Sequence, residues 1–171
     1  MDSATSDKNS LANELWQFAL AFWQLPGIED TCLTLQQRGW SVTRILCAGW
    51  LATQERSYDG TEPDELSQWR RNKTEAIRAL RQSIGKQEQA PATLRGLLAK
   101  AELESEKIEL DLAWAWLQHQ PTHSTVKEPP MTLAQANVRV AAPPDEDTDS
   151  ADIHQKIIFL AQQVFKVFPN D

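Results

Sequence analysis

Histidine is absent from the first 118 residues of this 171-residue chain, and His119, His123 and His154 all come late. Catalysis by a Ser–His–Asp or Cys–His arrangement needs an imidazole beside the nucleophile, so both are nearly excluded for that region. Pro121 lies between His119 and His123 and prevents a shared helical surface for a metal pair. We therefore expect no catalytic, cofactor-binding or metal-binding residues, and a protein that is not an enzyme.

Cysteine and glycine are also scarce. Cys32 and Cys47 are the two cysteines, and each lies among apolar neighbours, as reduced and buried thiols do. The chain has six glycines, and none belongs to a phosphate-cradling loop. Long stretches of Leu, Ala, Glu, Lys, Arg and Gln favour an all-α fold over a sheet.

No apolar run approaches the roughly 20 residues that cross a bilayer, and the first seven residues lack the features of a signal peptide. The net charge is −7, which disfavours nonspecific binding to nucleic acid or to anionic membranes. We expect a cytoplasmic protein that does not contact the membrane, and nucleic acid is not the expected partner.

What the sequence does contain is a change of composition after Gln120. Residues 1–10 are predicted to be disordered, and residues 11–118 to form a compact, tryptophan-rich bundle of five helices. Residues 119–151 contain five prolines and an acidic run, which predicts a flexible linker. Residues 152–168 are predicted to form an amphipathic helix. Within the linker, Met131–Val140 is mildly apolar and is a candidate for a short docking strand or helix.

The fifth predicted helix, residues 91–118, carries apolar residues on two sides, although packing on one side needs only one stripe. The second stripe therefore needs a cover, and Trp114 is its leading interface candidate because tryptophan is enriched at binding hot spots. The C-terminal helix needs a surface too, since so short a helix is marginal in water. The partner-binding candidates are Leu103, Leu110, Trp114 and Leu117 on the fifth helix, and Ile153, Ile157, Leu160, Val164 and Val167 on the last.

The fourth predicted helix, residues 64–84, carries a strip of arginines: Arg70, Arg71, Arg78 and Arg81. Beside Trp69, such a strip could bind phosphate or RNA. The following helix is rich in glutamate, however, and a hairpin of the two would place opposite charges side by side. We favour this internal pairing, because the protein is acidic overall.

An ordered set of short motifs also resembles a known family. The motifs are residues 14–20 (ELWQFAL), Pro26-Gly27, residues 32–36 (CLTLQ), Trp69-Arg70-Arg71, Leu80-Arg81 and residues 101–106 (AELESE). Over about residues 11–118 they resemble an uncharacterised family of short bacterial hypothetical proteins. The resemblance implies a variable C-terminal region, and it implies no activity.

Together these features predict a non-catalytic protein-interaction or adaptor protein with an unidentified protein partner. The C-terminal helix would either dock on the fifth helix of its own chain or insert into a partner's groove. A homodimer formed by exchange of the tail uses the same surfaces and stays open. The alternative function is binding of RNA or a phosphate ligand by the arginine strip.

Overall fold

The structure is a computed structural model that describes residues 13–86, 92–120 and 128–168. The helices, in chain order, are α1 (Glu14–Trp23), α2 (Ile28–Gln37), α3 (Val42–Thr53), α4 (Asp64–Trp69), a π-helical turn (Arg70–Thr74), α5 (Glu75–Ser83), α6 (Ala92–Leu117), α7 (Pro130–Val140) and α8 (Ala151–Val164). The described residues form no strand, so the predicted all-helical class is confirmed. The prediction of a disordered N-terminus falls on residues 1–10, which lie outside the described residues.

Polar residues begin α1 and α3. The side-chain oxygen of Asn13 accepts a hydrogen bond from the backbone N–H of Trp16 at 2.8 Å. Ser41 does the same for the N–H of Arg44 at 3.3 Å. Each bond satisfies one of the N–H groups that a helix start leaves without an internal partner.

The chain divides into two compact units whose boundaries differ from the predicted domain of residues 11–118. Unit 1 consists of Met1–Thr61 together with Gln120–Asp171, and unit 2 is Glu62–His119. Unit 1 contains α1, α2, α3, α7 and α8, whereas unit 2 contains α4, the π-helical turn, α5 and α6. Unit 2 is therefore inserted between the two sequence segments that build unit 1.

Helix α3 lies at the centre of unit 1, where it packs against α1, α7 and α8. Its length from Ile45 to Ala52 is buried. A Cβ atom at Gly49 would lie 2.9 Å from the ring of Phe18 and 3.1 Å from Val164. Glycine thus permits the close approach of α1 and α8 to α3.

The segment Pro130–Val140 is a helix where the sequence analysis predicted a flexible linker over residues 119–151. Proline is well suited to the first helical position, so Pro130 begins α7. The buried Asn137 then fixes α7 in unit 1: its side-chain amide donates to the carbonyls of Ala48 and Arg56 and accepts from the N–H of Tyr58. This corrects the predicted linker over Pro130–Val140, whereas residues 121–127 of that linker lie outside the described residues. The helix agrees with the docking segment expected at Met131–Val140.

Helix α8 packs against α2, α3 and α7 within unit 1. Ile153, Ile157, Leu160 and Val164 are fully buried, whereas Val167 is half-buried. The predicted seam of the C-terminal helix is therefore part of the core of unit 1. This corrects its assignment as a helix held on a flexible tether and offered to a partner. No described helix combines the length and the apolarity that crossing a bilayer requires.

Candidate protein-interaction site

Unit 2 is built around an antiparallel hairpin, in which α4, the π-helical turn and α5 run against α6. Hydrogen bonds join Arg70 to Glu109, Thr74 to Ser105 and Arg78 to Glu102. Residue numbers along α6 therefore decrease as those along the α4–α5 arm of the hairpin increase, so the two arms are antiparallel. This register fixes which residues of the two helices lie at the same height.

The π-helical turn keeps the contact in line along the first half of the hairpin. Its defining hydrogen bond runs from the N–H of Glu75 to the carbonyl of Arg70, five residues back. Side chains four apart drift by about 40° in an α-helix, and a wider turn reduces that drift. Arg70 and Thr74, at the two ends of this turn, are both buried and both contact α6.

Arg70 forms the first ionic cluster of the hairpin. Its guanidinium donates to both carboxylate oxygens of Glu62, at 2.6 and 3.0 Å, and to Glu109 at 3.1 Å. Burial lowers the pKa of Arg70, but the hydrogen bonds and charge of Glu62 and the charge of Glu109 outweigh it, so this pKa lies above its usual value. The arginine is held charged between two carboxylates.

Arg78 and Arg81 form the second cluster around the buried Glu102. Arg78 donates to Glu102 at 2.8 Å and to Glu106 at 2.9 Å, and Arg81 donates to Glu102 at 2.5 and 3.3 Å. Burial raises the pKa of Glu102, but hydrogen bonds from Arg81 and Arg78 outweigh it and hold this pKa below its usual value. For Glu106, burial prevails and the pKa is raised.

Between the two clusters the contact is also polar. The hydroxyls of Thr74 and Ser105 lie 2.8 Å apart, and the indole N–H of Trp69 donates to the Ser105 side chain at 3.0 Å. We call this contact the polar seam; it consists of Arg70, Thr74, Arg78, Arg81, Glu102, Ser105 and Glu109. The internal charge pairing predicted for the arginine strip is present at Arg70, Arg78 and Arg81, while Arg71 is exposed.

Apolar side chains of the hairpin are left outside the polar seam. Helix α5 has no buried residue, and Leu80 is 54% exposed. On α6, Leu94, Leu97 and Ile108 are 51%, 58% and 41% exposed. These values are unusual for large apolar residues on packed helices, which normally turn that surface inward.

The exposed large apolar residues of both helices, apart from Leu103, lie on the same side of the hairpin. Measured from the polar seam at about 100° per residue, Ile77, Leu80 and Ile84 fall roughly 60–130° to one side on α5. Leu94, Leu97, Ala101 and Ile108 fall at a similar angle and in the same rotational sense on α6. Because the helices are antiparallel, equal rotation from the contact places both stripes on one side. We call these seven residues the hairpin face.

The sequence-predicted partner residues of α6 lie elsewhere on the helix. Leu110 and Leu117 are buried, Trp114 is half-buried, and Leu103 is 51% exposed on the flank opposite Leu97. The sequence analysis expected the other apolar stripe of this helix to pack inward, yet its members Leu94, Leu97 and Ile108 are exposed. Apolar periodicity alone does not show which side of a helix is buried.

A polar site that the sequence analysis missed lies in unit 1. Glu146 accepts hydrogen bonds from Arg38 at 2.7 and 3.0 Å and from the indole N–H of Trp40 at 3.0 Å. The hydrogen bond from Arg38 is the main cause that lowers the pKa of Glu146 to about 2. Acidic composition assigned Glu146 to a linker, and no local signal pairs it with residues more than a hundred positions earlier.

Across residues 13–86, 92–120 and 128–168, no three His, Cys, Asp or Glu side chains are grouped so that they could hold a metal ion. Cys32 and Cys47 are buried free thiols, and burial raises the pKa of Cys32 to about 12.

A family profile described as "Protein of unknown function (DUF2390)" matches residues 14–113 of the chain. No curated protein and no solved structure matches the chain. The matched range covers α1 to α3 of unit 1 and most of unit 2, and it ends before α7 and α8. It also confirms the resemblance to an uncharacterised family that was found from the sequence motifs. The chain therefore belongs to the DUF2390 family of proteins of unknown function.

Proposed function

We propose that this protein is a non-catalytic protein-interaction protein, and that the hairpin face is the surface that binds helices of another polypeptide. The observation that carries the proposal is the exposure of Leu80, Leu94, Leu97 and Ile108 on one side of unit 2. Contiguous apolar patches of this kind mark interaction surfaces on proteins. Burying a leucine side chain completely contributes about 2 kcal/mol, so covering these half-exposed residues would contribute roughly 4 kcal/mol.

The chemistry of the hairpin supports a protein partner over a nucleic acid. Arg70, Arg78 and Arg81 already donate to carboxylates, so binding a phosphate through them would require breaking buried or half-buried ion pairs. The net charge of −7 opposes association with a polyanion as well. RNA or phosphate binding through the arginine strip is therefore the weaker of the two functions predicted from the sequence.

The proposed location is the cytoplasm. Two buried free thiols are consistent with a reducing compartment, where disulfides rarely persist.

A matched pair of variants tests the proposed function. The double variant Leu80→Glu/Leu97→Glu places two charges on the hairpin face, and Leu103→Glu places a charge on the opposite flank of α6 at similar exposure. Tagged full-length proteins are compared by cross-linking in host lysate and quantitative mass spectrometry, after circular dichroism has established equal helix content. We expect partners to be retained by the wild type and by Leu103→Glu, and reduced at least tenfold by the double variant.

Equal recovery of every partner by all three proteins would contradict the hairpin face as an interaction surface. If partners are lost only with Leu103→Glu, the interaction surface is instead the stripe predicted from the sequence, which consists of Leu103, Leu110, Trp114 and Leu117.

A further inference from the structure

The structure assigns a partner to the hairpin face: we propose that it binds a second copy of this chain, so that two hairpins form a four-helix contact. This inference rests on the proposed function, because it uses the same surface. It is carried by the charges at the edges of the face and by the area that the face offers.

Charged residues of opposite sign lie beside the hairpin face on its two helices. Lys73 lies in the π-helical turn and is exposed, on the same side of the hairpin as Ile77 and Leu80 of α5. Glu104 is exposed beside Leu97 and Ile108 on α6, where it also pairs with Lys107 at 2.6 Å. The positive charge therefore belongs to one helix of the hairpin and the negative charge to the other.

The register of the hairpin places these two charges at nearly the same height. Thr74 bonds Ser105 across the polar seam, and Lys73 and Glu104 are their immediate neighbours in sequence. A two-fold axis parallel to the helices would lay α5 of each copy over α6 of the other. Lys73 of one copy would then meet the partner's Glu104 at the rim, and symmetry repeats the pair. The hairpin face is thus complementary to itself in charge as well as in apolarity.

The area is sufficient for a reversible dimer. Leu94 to Ile108 spans about 21 Å at 1.5 Å per residue, and two helices side by side are about 20 Å wide. A flat contact of that size corresponds to roughly 1,000 Å² of accessible surface buried over both copies, near the lower bound for a specific interface. We therefore expect a dimer that dissociates on dilution.

Sedimentation equilibrium of the full chain, over roughly a hundredfold range of concentration, tests the proposal. The expected result is a monomer–dimer equilibrium that Leu97→Glu shifts to monomer and that Leu103→Glu leaves unchanged. Lys73→Glu and Glu104→Lys alone should each raise the dissociation constant about tenfold, because each replaces two attractive rim pairs by repulsive ones. The double charge reversal Lys73→Glu/Glu104→Lys should restore the wild-type value to within about threefold.

A wild-type protein that is monomeric at every concentration overturns the proposal, and so does a dimer that Leu97→Glu leaves intact. The proposal also fails if the double charge reversal dimerises no more tightly than the single variants. Lys73 and Glu104 are exposed, so these variants keep the test informative even where Leu97→Glu impairs folding. A monomeric protein whose partners in lysate are still lost with Leu80→Glu/Leu97→Glu would refute only the second copy and leave the proposed function standing. If the protein is monomeric and Leu80→Glu/Leu97→Glu also leaves the recovery of partners from lysate unchanged, the proposed function fails as well.

Discussion

Glu146 joins two parts of unit 1 that are more than a hundred residues apart in the chain. Its side chain is only 5% exposed, and it receives hydrogen bonds from Arg38 and Trp40, which lie at and just beyond the end of α2. Trp40 is itself buried, so its indole N–H would lose a partner if the carboxylate were absent. An unsatisfied buried donor costs about 1–3 kcal/mol.

We predict that Glu146 makes the free energy of unfolding depend on pH. The pKa of Glu146 falls from the ordinary 4.5 to about 2 in the folded chain, so its contribution is complete above about pH 4.5 and is lost as the pH falls toward 2. Glu146→Gln should lower the free energy of unfolding by about 1 kcal/mol at pH 7, because Arg38 is partly solvated and the pair is screened. Urea unfolding at several pH values should show this difference shrinking below pH 4.5.

The neighbouring exposed carboxylate provides the control for this prediction. Asp145→Asn should leave both the stability and its pH profile close to those of the wild type. A difference between wild type and Glu146→Gln that is the same at pH 7 and at pH 2 would contradict the role given to the carboxylate.

Residues such as Glu146 and Asn137 mark the limit of what the sequence predicts at this scale. The apolar seam of α8, which includes Ile157 and Leu160, was predicted from neighbouring residues, because apolar periodicity within one helix is a local pattern. Asn137 bonds Ala48, Arg56 and Tyr58, which are all some 80–90 residues away. No periodicity in the sequence connects positions so far apart.

Among the elements, α6 departs furthest from the ordinary relation between apolarity and burial. Glu102, Ser105 and Glu109 are buried on the side that faces the arginines, whereas Leu94 and Leu97 are exposed. The amphipathic pattern predicts a helix correctly here but predicts the wrong buried side, because the burial of its glutamates depends on arginines of the other helix. The sequence did predict that pairing, from the opposite charges of the two helices.

The polar seam makes unit 2 sensitive to the loss of a single charge. Arg70→Met would leave Glu62 and Glu109 without the guanidinium that they share, and breaking a buried ion pair from one side costs about 3–5 kcal/mol. We predict a loss of about 3 kcal/mol in the free energy of unfolding, measured by urea titration with circular dichroism. Arg71→Met changes the next, exposed residue and should cost less than about 0.5 kcal/mol.

A further variant distinguishes uncompensated charge from lost packing. Adding Glu62→Gln and Glu109→Gln to Arg70→Met removes the two carboxylates and should recover part of the lost stability. Equal stability of Arg70→Met and Arg71→Met would show that the Arg70 cluster does not stabilise the hairpin.

For the whole molecule, the important fact is that unit 1 needs both ends of the described chain. Helices α7 and α8 bury Leu133, Val138, Ile157 and Leu160 in unit 1, where α7 packs on α3 and α8 packs on α2 and α3. The family match at residues 14–113 does not extend to these two helices. The sequence analysis placed a domain boundary near residue 118, because composition changes there. Pro129 and Pro130 contributed to that change, yet they begin a helix instead of a linker.

We therefore predict that a fragment of residues 1–120 does not form unit 1. The apolar surface that α3 presents to α7 and α8 would be exposed, and a buried leucine or isoleucine is worth about 2–5 kcal/mol each when its packing is removed. Amide hydrogen exchange should be slow in α1 to α3 of the full chain and fast in the fragment. Slow exchange of those helices in the fragment would contradict the prediction.

Two substitutions on α8 repeat the test without truncation. Leu160→Asp buries a charge in the core of unit 1 and should produce the same fast exchange in α1 to α3. Gln162→Asp lies on the exposed side of the same helix and should leave exchange unchanged.

The insertion of unit 2 within unit 1 also has a consequence for biosynthesis. The ribosome must add about 110 residues between the end of α3 at Thr53 and the end of α8 at Val164. At common translation rates this takes roughly 10 s, which is long compared with the folding of a small domain. During that interval the apolar sides of α1 to α3 await helices that have not yet been made, whereas the residues of unit 2 emerge as one continuous segment. A nascent chain of this protein therefore has a window in which a molecular chaperone can recognise it, and that window closes when α8 leaves the exit tunnel.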